Sequence, residues 1–106
     1  MSYGRLAISQ PAAATDTVVY TVPANCRYAD ITLNILNTTT NDATLELALS
    51  AADTPVAGEY IEKGVILPAN GGILERAGLL CSPGERIVVK ITEANSVVRI
   101  SGKLVI

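Results

Sequence analysis

Few residues in this chain are equipped for chemistry, and their spacing limits what they could do. Cys26 and Cys81 lie far apart, and neither has a histidine to activate it, because the chain contains none. A thiol with no basic neighbour stays protonated near neutral pH and is a poor nucleophile. The same absence excludes a Ser-His-Asp triad and leaves zinc short of nitrogen ligands. Carboxylates remain for acid–base work: Glu59 and Glu62 flank one strand start, Glu75 sits within another strand, and Glu46 is on a wet face. Solvated faces and cross-strand ion pairs explain them more simply, and Glu75-Arg76 reads as a packing or intersubunit salt-bridge pair. Ser101-Gly102-Lys103 has the order that ends a P-loop, but the upstream glycine is missing and the segment lies in a strand. Asn70-Gly71-Gly72 lacks the dinucleotide-loop spacing and precedes no helix. Asn41-Asp42 is too sparse for a calcium cage. Tyr3, Tyr20, Tyr28 and Tyr60 could stack on a sugar, yet they are scattered over different segments. The expectation is a non-enzyme with no cofactor and no metal.

Composition points the same way. The chain has 106 residues, enough for one domain (1–106) and one modest core. Apolar residues make up 49% and charged residues only 17%, with a net charge of -2, so a basic nucleic-acid footprint is lacking. The first eleven residues have no apolar stretch behind a basic start, so no secretory leader is expected. No apolar run is long enough for a membrane-spanning helix. In a reducing cytoplasm both cysteines are expected to be buried free thiols.

The elements that must position these residues have period two almost throughout. Over residues 27–37, Ala29, Ile31, Leu33 and Ile35 point one way, and Asp30, Thr32 and Asn34 the other. After a polar cluster at 37–42, residues 43–50 alternate again with Leu45, Leu47 and Leu49 inward; leucine and alanine favour helix there, but the alternation favours strand. Two such strands around a short polar loop predict an antiparallel hairpin. Further strands are expected at 4–9, 17–22, 60–67 with a bulge at Gly64, 73–80, 86–92 and 97–106. A single helical turn fits 54–58. The glycine-bearing loop Pro68-Ala69-Asn70-Gly71-Gly72 offers several positions for positive φ. Seven or eight strands at this spacing predict an all-β, single-domain antiparallel β-sandwich, jelly-roll-like.

Several segments resemble small virion structural proteins of tailed bacteriophages. They are Tyr20-Thr21-Val22-Pro23-Ala24, then Leu47-Ala48-Leu49-Ser50, Glu59-Tyr60-Ile61-Glu62, Gly72-Ile73-Leu74-Glu75-Arg76-Ala77-Gly78 and Val97-Val98-Arg99-Ile100-Ser101-Gly102. The resemblance covers roughly residues 6–102, while Lys103-Leu104-Val105-Ile106 departs from the acidic ending of that group. It implies a capsid decoration (cement) protein on the head exterior, assembled in the host cytoplasm and resident in the virion. A tail, neck or fibre-attachment component is the alternative, and a carbohydrate-binding module a third. Expected partners are further copies of the chain, a homotrimer first, and the major capsid protein or another virion protein, with no nucleic acid and no membrane. The expected interface is the two polar tips: Thr38, Thr39, Thr40, Asn41 and Asp42 on one, and Pro68, Asn70, Gly71 and Gly72 on the other. The wet-face residues Thr32, Asn34, Thr44 and Glu46 are expected to extend the first tip into one patch.

Overall fold

A computed structural model describes residues 2–93 and 95–105, with side chains from Gly4 onward. Ile106, expected to end the last strand, Ala94 of the expected 93–96 turn, and the Tyr3 ring lie outside the described residues. The strands are β1 Ser2–Ser9, β2 Thr17–Thr21, β3 Tyr28–Asn37, β4 Ala43–Ser50, β5 Tyr60–Leu67, β6 Gly72–Cys81, β7 Arg86–Ile91 and β8 Val97–Val105. A single 3-10 turn, Ala57–Glu59, precedes β5 and takes the place of the expected helical turn.

Two antiparallel four-stranded sheets form, in the orders β1-β8-β3-β6 and β2-β7-β4-β5. That arrangement is a double-sheet jelly roll, and it confirms the expected sandwich. Each strand needs its apolar side covered, and the two sheets cover one another. Ile31, Leu33 and Ile35 of β3, Val98 and Ile100 of β8, Leu45 and Leu47 of β4, and Ile87, Val89 and Ile91 of β7 are all buried in the shared core. These are the faces that the alternation assigned inward. Leu49 is partly buried against the same core.

The expected hairpin does not form. β3 lies between β8 and β6, whereas β4 lies between β7 and β5 in the opposite sheet. The polar loop between them is long enough to cross the ~10 Å gap between packed sheets. Crossing lets both leucine- and isoleucine-bearing faces meet over one core, which side-by-side pairing would prevent. Thr32 and Asn34 therefore face outward from one sheet, and Thr44 and Glu46 from the other, so these four cannot share a patch.

Register separates the centre of each sheet from its edges. The β3·β8 and β4·β7 ladders run without a slip. Every edge ladder is bulged: β1 at Arg5/Ala7, β2 at Val18/Tyr20, β6 opposite Ile31/Leu33, and β5 opposite Leu45/Glu46 and Leu47/Ala48. The expected bulge at Gly64 is the first of the two β5 slips, because Leu45 pairs Val65 and Glu46 pairs Lys63. Bulged edges twist away from a neighbouring strand and resist edge-to-edge pairing. On the side where β5 and β6 lie together, Arg76 reaches across to the Glu62 carboxylate. Arg76 is thus an intrachain strap between the two sheets.

At one end of the sandwich the 51–59 segment is organised by Glu59. Its carboxylate accepts from Val56 N (2.9 Å), Ala51 N (2.9 Å) and Ser50 Oγ (3.1 Å). The backbone bonds, Val56 first and Ala51 next, hold it below the ordinary carboxylate range against an opposing desolvation. A depressed folded-state pKa gives stabilisation that is complete above the unfolded-state value and is lost as pH falls through the folded one. Glu59→Gln is therefore expected to lower the urea midpoint at neutral pH, and the gap to wild type to close in acid. Midpoints measured from neutral to acidic pH check this; a gap that is constant with pH would contradict it.

Gly102 pairs Ile31 in the β3·β8 ladder at φ +142°, where a Cβ would overlap the Asp30 carbonyl oxygen. Gly102→Ala is expected to cost at least about 3 kcal/mol in chemical denaturation. Gly58→Ala, at a position with open space around it, should stay within about 0.5 kcal/mol of wild type.

Candidate functional site: a loop platform at one end of the sandwich

The two tips expected as an interface turn out to be one structure. Both connections, β3 to β4 and β5 to β6, emerge at the same end and are hydrogen-bonded to each other. Gly71 N donates to Asn37 O (2.8 Å) and Asn70 N to Thr39 O (2.8 Å). Ala69 N donates to Asp42 Oδ1 (2.9 Å). The β7–β8 connection joins them, because Thr38 Oγ1 donates to Asn95 O (2.7 Å).

The hub is Asn37, the last residue of β3, whose side chain is fully buried. Its Nδ2 donates to Asn41 O (2.8 Å) and to Leu67 O (3.0 Å). Its Oδ1 accepts from Thr39 N (3.0 Å) and Thr39 Oγ1 (2.6 Å). One amide thus folds its own loop back and ties it to the end of β5. Asparagine fits because it offers two donors and an acceptor with two lone pairs on one short side chain. The second loop turns through Asn70 at φ +60° and Gly71 at φ +106°, as its composition predicted. Gly72 then closes on Pro68 so tightly that a Cβ would overlap the Pro68 carbonyl oxygen.

The named tip residues divide by role. Thr39, Asn41, Asp42, Pro68 and Gly72 are tied into the platform by their own bonds or close packing. Thr38 links it to the third loop. Thr40, Asn70 and Gly71 are exposed and form its outer surface. Sequence reading placed Asn37 in the polar turn and missed its role. The signal was present: 29, 31, 33 and 35 all point inward, and one more step of the alternation lands on Asn37.

Elsewhere the residues that could do chemistry are spread apart. Both cysteines are free and buried. Burial first, then the Glu85 and Asp30 charges, push the Cys81 thiol up to about 11, so it is protonated at neutral pH. Cys26 Sγ donates to Pro23 O (3.0 Å). The Tyr20 hydroxyl is raised mainly by burial, with the two cysteines adding to it. Tyr28 is exposed on the β1-β8-β3-β6 sheet, Tyr20 packs against the core, and the Tyr60 ring lies under Lys63 Nζ at 4.2 Å. These three rings share no platform for a sugar. Among the described residues, no three of His, Cys, Asp or Glu gather where they could hold a metal ion. No protein-family model, curated protein or solved structure matches the chain.

Asn37→Ala is expected to remove four bonds and leave the carbonyls of Asn41 and Leu67 without their donor, costing about 2–3 kcal/mol. In addition, amide exchange at Asn70 and Gly71 should accelerate more than exchange in β3 and β8. Uniform acceleration over the whole chain would mean that the amide supports global stability only.

Proposed function

We propose that this chain is a structural protein of a tailed-phage virion, and specifically a decoration protein that binds the head exterior as a symmetric homo-oligomer. The observation that carries the reading is the loop platform. Three connections are held together by side-chain and backbone bonds at the end of a packed sandwich, so their outer surface is ordered before any partner arrives. An ordered surface spends less free energy on docking than a mobile one. The resemblance of the ordered segments to small phage virion proteins supports the same reading. Both thiols are buried, and that of Cys81 is protonated at neutral pH. In this reading the partner at the platform is the major capsid protein or another virion protein, and the site of assembly is the host cytoplasm.

The test uses exposed residues whose side chains make no bond within the platform. An insertion at Thr39 would break its bonds into Asn37 and disturb the fold. Thr40 is exposed and free of such bonds among the described residues, so Thr40→Arg alters the surface alone. It is expected to melt like wild type yet load onto particles at least about tenfold less tightly, a loss of ~1.4 kcal/mol. Normal loading by Thr40→Arg and by a second surface variant, Asn70→Gly, would remove the platform from the interface. A cryo-EM map of the parent particle decides the location. Hundreds of copies on the head support decoration, a few at the neck or tail support the alternative, and absence from the particle overturns both.

A further inference from the structure

The outer face of the β1-β8-β3-β6 sheet is patterned in two directions at once. Along the strands, exposed apolar side chains gather at both ends of the face, with Leu80 of β6 and Tyr28 of β3 at one and a wider apolar row at the other. Ile8 of β1, Val97 of β8, Leu36 of β3 and Ile73 of β6 line a shallow groove of about 290 Å³ there. Ile8 and Ile73 are 56% and 65% exposed, among the most open large apolar side chains described. Across the strands, charge separates by sheet half. Arg5, Arg99 and Lys103 lie on β1 and β8, whereas Asp30 and Glu75 lie on β3 and β6. Arg99, Asn34 and Glu75 fall on one line, and Asn34 stands between the two charges. With its amide nitrogen turned toward its acceptors, Asn34 donates to Glu75 Oε2 (2.8 Å) and fixes that carboxylate on the face. The ion pairs among the described residues are Arg76–Glu62 and Arg86–Asp53, so none of the five charges on this face is paired within the chain.

We propose that this face is an isologous interface, on which a second copy of the chain packs about a two-fold axis parallel to the strands. Such an axis preserves position along the strands and reverses position across them. The wider apolar row of one copy then meets the same row of the other. The cationic half meets the anionic half, twice over, with Arg99 near Glu75 of the second copy. A two-fold axis perpendicular to the strands does the opposite: it preserves position across the strands and so sets Arg99 and Lys103, both on β8, against cations. A three-fold axis places unlike patches in contact and cannot use a self-complementary face in this way. The charge pattern therefore selects a dimer at this face over the trimer that the sequence suggested.

The size of the face fits a modest dimer. Four strands by about eight residues make a plane of about 19 Å by about 27 Å, roughly 500 Å² per copy. Two such faces bury on the order of 1,000 Å², the lower bound for a specific interface. The bulged edges leave faces and tips as the surfaces open to self-association. The inference concerns the isolated chain and does not rest on the virion reading, so particle loading and self-association fail separately.

The experiment is sedimentation velocity on the purified chain from a few to a few hundred micromolar, at low and high salt. The expected result is a reversible monomer–dimer equilibrium that weakens as salt rises. Arg99→Glu with Lys103→Glu should stay monomeric, and so should Asp30→Lys with Glu75→Lys. An equimolar mixture of the two variants should sediment as a dimer again, because each supplies the charge that the other reversed. No fold defect within one chain predicts that recovery. Should either double variant fail to fold, Ile73→Lys, at an open apolar position, is expected to raise the dissociation constant by at least about tenfold. A wild-type chain that stays monomeric throughout, a trimer, or an oligomer unmoved by these changes would overturn the proposal.

Discussion

The register of two ladders governs the whole molecule. β3 against β8 and β4 against β7 pair without interruption, and they supply most of the buried side chains. A slip of one residue in either would turn its isoleucines, leucines and valines toward water, so the pairing is fixed by burial rather than by the loops. With the two central ladders locked, each sheet can afford irregular borders. The bulges in β1, β2, β5 and β6 all sit where slippage moves few buried atoms. The result is a sandwich with a rigid middle, edges that refuse further strands, and an open side tied by the Arg76–Glu62 strap.

The loop platform depends on the same registers. Asn37 is buried because it continues the inward phase of β3, and it reaches Leu67 O because β3 and β5 end at the same level in opposite sheets. Polar residues at a strand end usually face water. Here the amide replaces the water that would otherwise satisfy the ends of two crossing strands. Thr39, Asp42 and the β5–β6 loop then arrange themselves around it.

Much of this was legible in the amino-acid order because alternation is a local signal. The inward sets of β3, β4, β7 and β8, the Gly64 bulge and the positive-φ turn at Asn70 and Gly71 all follow from residue types a few positions apart. What local pattern cannot carry is which strand lies beside which. The 37–42 segment reads equally as a hairpin turn and as a crossing between sheets, because both need polar residues and neither constrains distant partners. The Glu62–Arg76 pair, the union of the two tips and the charge halves of the outer face all depend on that missing order. Asn37 is the middle case: its phase was visible, but its bonding partners thirty residues away were not.

The strand order also sets how the chain comes together in time. β1 pairs only with β8, and β2 only with β7, so both outer strands wait for partners from the opposite end of the described chain. Ladders that close such long loops form slowly for their size, in the millisecond-to-second range rather than the microseconds of a helical bundle. While the chain emerges from the ribosome, β1 and β2 have nothing to lie against until β7 and β8 are made. The jelly roll cannot complete either sheet before β7 and β8 have emerged. Its early strands, with alternating rather than continuous apolar runs, spend that interval in water.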